Sequence, residues 1–343
     1  MTDGPEQRRA PRTPAMTDVA RLAGVSHQTV SRVLNEHPNV KPQTRLRVRA
    51  AMAELGYRPN RAARALVTGR SQLIGVVAQN TTLFGPASLL AAFEQSAAAA
   101  GFAVSVASVR SLNRESISEA VERHLDQRVA GIVVIAPVAS AGAALDHMPA
   151  DVPLVRIDGD PARDTALVTV DQQEGARLAT GHLLDAGHRT VWHVSGPDDW
   201  FDSVGRMQGW SAALAERGAD RPPPVAADWS PAAGYRVGQM LARMPEVTAV
   251  FAANDHLALG ILKALREHGR RVPEDVSIVG FDDIPEAEYF VPPLTTVRPD
   301  FDAVARETLA VLLGQINSGE PSAHRTTIAP QLVIRDSVAA PPR

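Results

Sequence analysis

The chain has 343 residues, 45% of them hydrophobic, a formal net charge of -3 and no cysteine. That length calls for two or three domains with a sizeable core, and the lack of cysteine excludes a disulfide framework, thiolate zinc sites and a cysteine nucleophile. No apolar run is long enough to span a bilayer, and the polar, proline-rich start "MTDGPEQRRAPRTPA" has no secretory segment, so a cytoplasmic protein with no membrane partner is expected.

The net charge hides an asymmetry. Residues 1 to 70 carry 13 Lys+Arg against 5 Asp+Glu, whereas the rest carries 22 against 33. A basic end on an acidic body suggests a polyanion partner at that end only, with a merely solvated basic surface as the alternative.

In chain order, residues 1–15 read as a disordered extension, with Met16 an alternative start. Thr17 can cap a short helix, "DVARLAG", in which Val19, Ala20 and Ala23 share a face and Gly24 supplies the positive φ that ends it. Ser26 is a second N-cap, before a helix that turns Val30, Val33 and Leu34 inward. Gln28 and Arg32 then face outward together, four residues apart. A third helix runs from Pro42 to Leu55, closed by Gly56, and its Val48, Ala51, Met52 and Leu55 cover the other two. Helix, glycine turn, helix is the arrangement that places a second helix in the DNA major groove. Gln suits adenine there, Arg suits guanine, and His makes one polar contact or a phosphate bond. A plain helical hairpin is the competing reading of these residues alone.

From Leu73 onward, short Val- and Ile-rich runs alternate with helical stretches. Strands are expected at 73–78, 102–108, 131–137, 152–158, 190–196, 249–255 and 276–283, and helices at 87–100, 114–127, 203–217 and 256–269. This is the pattern of buried parallel sheets covered by helices, with binding groups at the carboxyl ends of strands. Breaks near 158–165, 285–300 and 325–335 would divide the region into two lobes with ligand between them. Asp158, Asn254, Asp255, Asp282 and Asp283 end strands. Asp255 has a bland reading as a helix N-cap, Asp283 as a cap or turn, and Arg206 as a solvated arginine. Against that stands convergence: Asp158, Arg206, Asn254 and Asp282, with Trp229 and Phe301, are the residue types that hold a sugar. Carboxylates and amides pair with adjacent hydroxyls, an arginine fork bridges two oxygens, and an aromatic face stacks on the ring.

An enzyme is not expected. The chain has no GxxxxGK[ST] loop, GxSxG elbow or HExxH pair, and its ten histidines show no metal-ligand spacing, so no cofactor or metal is called for. Carboxylates accompanied by an arginine and an amide suit recognition better than a glycosidase's acid and nucleophile. A secreted sugar-binding protein would share the core but lack the helix-turn-helix.

The motifs "DVARLAGVSHQTVSRVLN", "AAMAELGYRPNRAARAL", "LIGVV", "FAANDHLALG" and "VGFDDIPEAEYFVPPLTTVRPDF", in this order, resemble the lactose-repressor (LacI/GalR) family of bacterial transcriptional regulators over almost the whole chain. The resemblance implies an α/β protein: a three-helix helix-turn-helix headpiece, a hinge helix that folds on operator DNA, and a two-lobed periplasmic-binding-protein-like core. The implied boundaries are 16–59 for the headpiece, 60–72 for hinge helix and linker, 73–337 for the core and 338–343 for a disordered tail. It implies base reading by His27, Gln28 and Arg32, and a minor-groove wedge at Leu66. Further DNA contacts are implied at Thr17, Ser26, Thr29, Ser31, Asn35, Tyr57, Asn60, Arg61 and Ala63. The reading of the residues agrees on Leu66: a leucine among arginines on a marginal helix has no core of its own, tucking against the core being the alternative.

The implied effector pocket comprises Phe84, Pro86, Asp158, Arg206, Trp229, Asn254, Asp282 and Phe301. Phe84 stands where the lactose-specific pattern has a histidine, and Pro299 where it has a glutamine. A β-galactoside or galactose-containing saccharide is the first choice of effector; another saccharide, a nucleoside or a purine is the alternative. A near-palindromic operator requires a homodimer, with the alanine-rich segment "ASLLAAFEQSAAAAG" at the interface or, alternatively, covering a sheet. The segment "LVIRDSVAAPPR" has no leucine heptads for a tetramer, so a dimer suffices.

Overall fold

A computed structural model of the protein describes residues 14–34, 37–57, 71–79, 83–109, 113–135, 137–138, 152–159 and 165–342. The proposed hinge helix, the N-terminal extension up to residue 13 and the DNA-contact candidates Asn35, Asn60, Arg61, Ala63 and Leu66 lie outside the described residues. The chain divides into two compact units, Met1–Ser71 and Gln72–Arg343.

The first unit packs α1 (Met16–Ala23), α2 (His27–Leu34) and α3 (Pro42–Leu55) around Val19, Ala20, Ala23, Val30, Val33, Val48 and Ala51. Gly24 ends α1 at φ 62 and returns its N–H to the Ala20 and Arg21 carbonyls, so the chain turns within one residue. The cap of α1 differs from expectation. Thr17 lies within the first turn and is exposed; Ala15 is the N-cap, and its N–H donates to the Asp18 carboxylate at 2.9 Å. Asp18 thus satisfies the N-cap amide in place of a Thr17 hydroxyl cap, and it also pairs with Arg21 at 2.7 Å. At α2 the Ser26 hydroxyl does accept from the Thr29 N–H at 3.1 Å.

The second unit holds two six-stranded sheets. The first contains β1 (Leu73–Gln79), β2 (Ala103–Val109), β3 (Gly131–Ile135), β4 (Leu154–Ile157), β5 (Ala166–Val170) and β11 (Arg325–Ile328), in the order β11-β5-β4-β3-β1-β2, all parallel. The second contains β6 (Trp192–Ser195), β7 (Val225–Ala226), β8 (Ala249–Ala252), β9 (Ser277–Phe281), β10 (Thr295–Arg298) and β12 (Gln331–Val333), in the order β12-β10-β9-β8-β6-β7, with β12 alone antiparallel. Strands β1, β3, β8 and β9 are buried almost throughout, as sheets covered on both faces require.

Helices α4 (Phe84–Ala99), α5 (Arg114–Asp126) and α10 (Phe301–Ser318) cover the first sheet. Helices α6 (Gln172–Asp185), α7 (Phe201–Glu216), α8 (Pro231–Leu241) and α9 (Asp255–Glu267) belong to the second lobe. The alanine-rich α4 buries Leu89, Ala92, Phe93 and Ala97 in the sheet's core, beside α10. No helix among the described residues is long and apolar enough to cross a membrane.

Three crossings join the lobes, and the first is not at 158–165. Strands β4 and β5 pair within one sheet, so the chain leaves the first lobe only after β5, at Asp171. The buried strand β5, "ALVTV", is not among the strands expected from the sequence, where it is a short run between two polar stretches. The other crossings follow β10 and β11. The C-terminal residues are not a loose tail: Ala339 exchanges backbone bonds with the Ser277 hydroxyl at 3.0 Å, and its carbonyl also faces His188 Nε2 at 3.0 Å. Ser337 is fully buried, so these residues extend the second lobe.

Candidate functional site

Two sites emerge, one in each unit. In the headpiece, His27, Gln28 and Arg32 are exposed on α2, opposite the buried Val30 and Val33; Thr29 and Ser31 are half-buried flanks, and Ser26 is exposed. A packed face thus carries a polar face on a helix of eight residues. Tyr57 is half-buried against the headpiece core, with its N–H bonded to the Met52 carbonyl at 2.9 Å.

In the second unit a cleft opens between the lobes. All eight predicted effector residues line it: Phe84, Pro86, Asp158, Arg206, Trp229, Asn254, Asp282 and Phe301. Pro299 lines it too, as do residues that sequence reasoning missed, namely Gln172, Trp200 and Asp202. Asp202 carried a signal, standing one helical turn before Arg206 on α7, whereas Gln172 belongs to a helix that was not predicted.

Arg206 is 4% exposed and is the hub of the cleft. Its Nε donates to Gln172 Oε1 at 2.9 Å, Nη1 donates to the Ala253 carbonyl, and Nη2 lies 3.4 Å from Asp282 and 3.8 Å from Asp202. The Phe281 ring lies under the guanidinium at 3.6 Å. It is therefore not a solvated arginine but a fixed fork.

Two buried carboxylates, Asp158 and Asp282, and the half-buried Asp202 surround this cation. Burial, and then the charge of Asp202, push Asp158 up to about 8, against the pull of a 2.8 Å bond from the Thr169 hydroxyl and of Arg206. Burial also raises Asp282 to about 7, with Arg206 opposing, and raises Asp202. Burial thus favours the protonated form of these carboxyls, so the cluster can both donate and accept hydrogen bonds. Asp158 and Asp282 sit at positive φ, 58° and 105°, immediately after β4 and β9. Their strained backbones turn the carboxylates out of the strand line.

Asn254, rather than Asp255, caps α9: its Oδ1 accepts from the Leu257 N–H at 2.8 Å and its Nδ2 donates to the Trp229 carbonyl at 3.3 Å. Asp255 is buried behind it, accepting from the Ile284 N–H at 2.9 Å and the Thr296 hydroxyl at 2.6 Å. Asp283 turns away from Arg206 to pair with Arg298 and, at 2.7 Å, Arg335.

The apolar walls are two aromatic pairs, Trp200 with Trp229 and Phe84 with Phe301, both edge to face at 5.5 and 6.2 Å between centroids. Trp229 needs Gly196, since any Cβ there would lie 2.2 Å from its ring. Its indole nitrogen is buried without a hydrogen-bond partner in the protein. Among the described residues no His, Asp and Glu group is arranged to hold a metal.

Residues 15–60 match the family of bacterial regulatory proteins, lacI family, and residues 180–338 match the periplasmic binding protein-like domain. The chain is 35% identical to the lactose operon repressor of Escherichia coli (strain K12), over 94% of this chain and 90% of that protein. It is 34% identical to the HTH-type transcriptional regulator CelR of Thermobifida fusca, over 95% and 98%. Among solved structures, the lac repressor dimer bound to operator and the anti-inducer ONPF superposes with a TM-score of 0.84 at 32% identity, covering 96% of this chain and all (100%) of that one. The complex of the regulator CelR with cellobiose gives 0.70 at 33% identity, covering 94% and 99%. A helix-turn-helix headpiece, a two-lobed core with a polar cleft and relatives that match nearly end to end lead to one conclusion: the chain belongs to the lacI family, as a DNA-binding transcriptional repressor with a ligand-binding core and not an enzyme.

Proposed function

We propose that this repressor binds a near-palindromic operator as a homodimer and releases it when a neutral saccharide fills the cleft. The observation that carries the reading is the convergence of Asp158, Asp202 and Asp282 on Arg206, beside Trp229 with its unpaired indole donor. Protonatable carboxylates and a fixed fork match vicinal hydroxyls, and the aromatic walls match the apolar face of a pyranose. A β-galactoside is the first choice, supported by the likeness to the lactose operon repressor. A β-linked glucose disaccharide is the second, supported by the likeness to a regulator complexed with cellobiose.

On DNA, His27, Gln28 and Arg32 read base edges while Thr17, Ser26, Thr29, Ser31, Asn35 and Tyr57 contact the backbone around them. Residues 60–72 form the hinge, in which Asn60, Arg61 and Ala63 line the minor groove and Leu66 is the wedge. The exposed face of α4 contributes to the dimer interface, and the protein works in the cytoplasm, where its operator lies.

A thermal-shift screen against lactose, cellobiose, their monosaccharides, nucleosides and purines tests the reading. A disaccharide that raises the melting temperature supports it. Stabilisation by a purine alone would overturn the saccharide assignment. Titrating the active sugar with and without saturating operator then gives its sign, because linkage makes an inducer bind more weakly to the DNA complex.

A further inference from the structure

Trp200 belongs to both lobes at once. Its indole lines the cleft, edge to face with Trp229. It packs against the core of the second lobe and also against the first-lobe cluster that contains Val77, Val134 and Val138. Its backbone forms an antiparallel bridge with Val138, just beyond β3, and the following amide, Phe201 N–H, donates to the Pro137 carbonyl at 2.8 Å. The covalent crossings at residues 171, 299–300 and 329–330 tie the lobes as hinges do; this joint is non-covalent and lies in the cleft wall itself.

We propose that Trp200 is a positioning residue, a latch that sets the angle between the lobes and makes that angle depend on what touches its ring. The proposal rests on the reading of the cleft as the effector site. Opening the lobes must break the Phe201 to Pro137 bond and withdraw the indole from one of its two apolar surroundings, so the joint has two discrete arrangements rather than a continuum. Any ligand that displaces or supports the ring has differential contact with the two arrangements, which is what a shift in their populations requires. Asp202, two residues along and 3.8 Å from Arg206, ties the same turn of α7 to the polar cluster. Ring position and carboxylate position therefore move together.

Hydrogen exchange by mass spectrometry on the ligand-free full chain tests this, comparing wild type with Trp200→Phe, Trp200→Leu and Trp200→Ala. The expected result is exchange at the Phe201 amide faster by about tenfold or more in the alanine and leucine variants, with β6 and β8 unchanged and the phenylalanine variant close to wild type. Unchanged protection at Phe201 in both of the ringless variants overturns the latch. So does loss of protection spread evenly over both sheets in the leucine variant, which would make Trp200 an ordinary core residue. Because no sugar is present, a failure of the chain to bind any saccharide would sink the effector reading and leave this measurement standing.

Discussion

Arg206 and Asp282 form a buried ion pair 3.4 Å apart, yet burial pushes the aspartate up to about 7, with the charge of Asp202 adding to the rise and Arg206 opposing it. Asp282→Asn keeps the shape and removes an acceptor. It should fold, retain operator affinity and lose the response to sugar, as read by operator titration with and without sugar. Arg206→Ala should lose the response too and cost about 3 to 5 kcal/mol of stability, the range for stranding buried charge, lessened as the carboxylates take up protons. An Asp282→Asn protein that still responds fully would remove the carboxylate from the effector contact.

The same cluster predicts how stability depends on pH. A carboxyl whose folded pKa is raised binds protons more tightly when folded, so its contribution falls as pH rises from the unfolded value towards the folded one. For Asp158 and Asp282 that window runs from the ordinary aspartate range up to about 8 and about 7. His193, lowered to about 4 by burial, and His124, His182 and His188, also lowered chiefly by burial, act oppositely below the ordinary histidine range, so the decline is unopposed by them only above it. Denaturation midpoints should therefore decline between about pH 6.5 and pH 8. Asp158→Asn should flatten the decline; an identical slope in the variant would remove Asp158 as its source.

Gly196→Ala forces a Cβ into the Trp229 ring, 2.2 Å away. Overpacking of this kind costs about 1 to 3 kcal/mol. The expected outcome is a lower melting temperature with weaker sugar binding and intact DNA binding by the headpiece. Unaltered sugar affinity would show that the cleft does not depend on where this indole stands.

On DNA, Gln28→Ala and Arg32→Ala should relax preference at particular bases by about 1 to 3 kcal/mol per lost bidentate contact, measured by anisotropy on single-substitution duplexes. A uniform loss on all duplexes would make them phosphate contacts. Ser26→Ala should destabilise the headpiece by about 1 kcal/mol through loss of its bond to the Thr29 N–H. Leu66→Ala should weaken operator affinity and leave melting temperature and sugar binding unchanged; lost thermal stability without DNA would make it a core residue.

Much of this was legible in the residues. The headpiece read well because its signals are local: Gly24, Ser26 and Gly56 punctuate it, and its apolar residues recur at helical spacing. Buried strands read well as runs such as "LIGVV" and "GIVVI". The eight cleft residues followed from family resemblance and from strand-end positions. What failed was long-range. Strand β5 has neighbours in β4 and β11, the latter more than 150 residues away, and only that pairing fixes where the chain changes lobe. Ala15 displaced Thr17 because a backbone N–H bound by Asp18 competes with any side-chain cap, and local sequence admits both. Trp200 was missed because nothing near it announces Val138.

Each sheet receives its last strand from the end of the chain, β11 in the first lobe and β12 in the second, while the headpiece is complete within its first residues. During synthesis the part that grips DNA can therefore fold long before the part that restrains it. A message or protein cut short before residue 325 strips β11 and β12 from the sheets and exposes the otherwise interior strands β5 and β10 as new edges, a target for degradation rather than a half-working switch. Frameshifts late in the gene should accordingly behave as losses of the whole regulator, although every DNA-reading residue has been made.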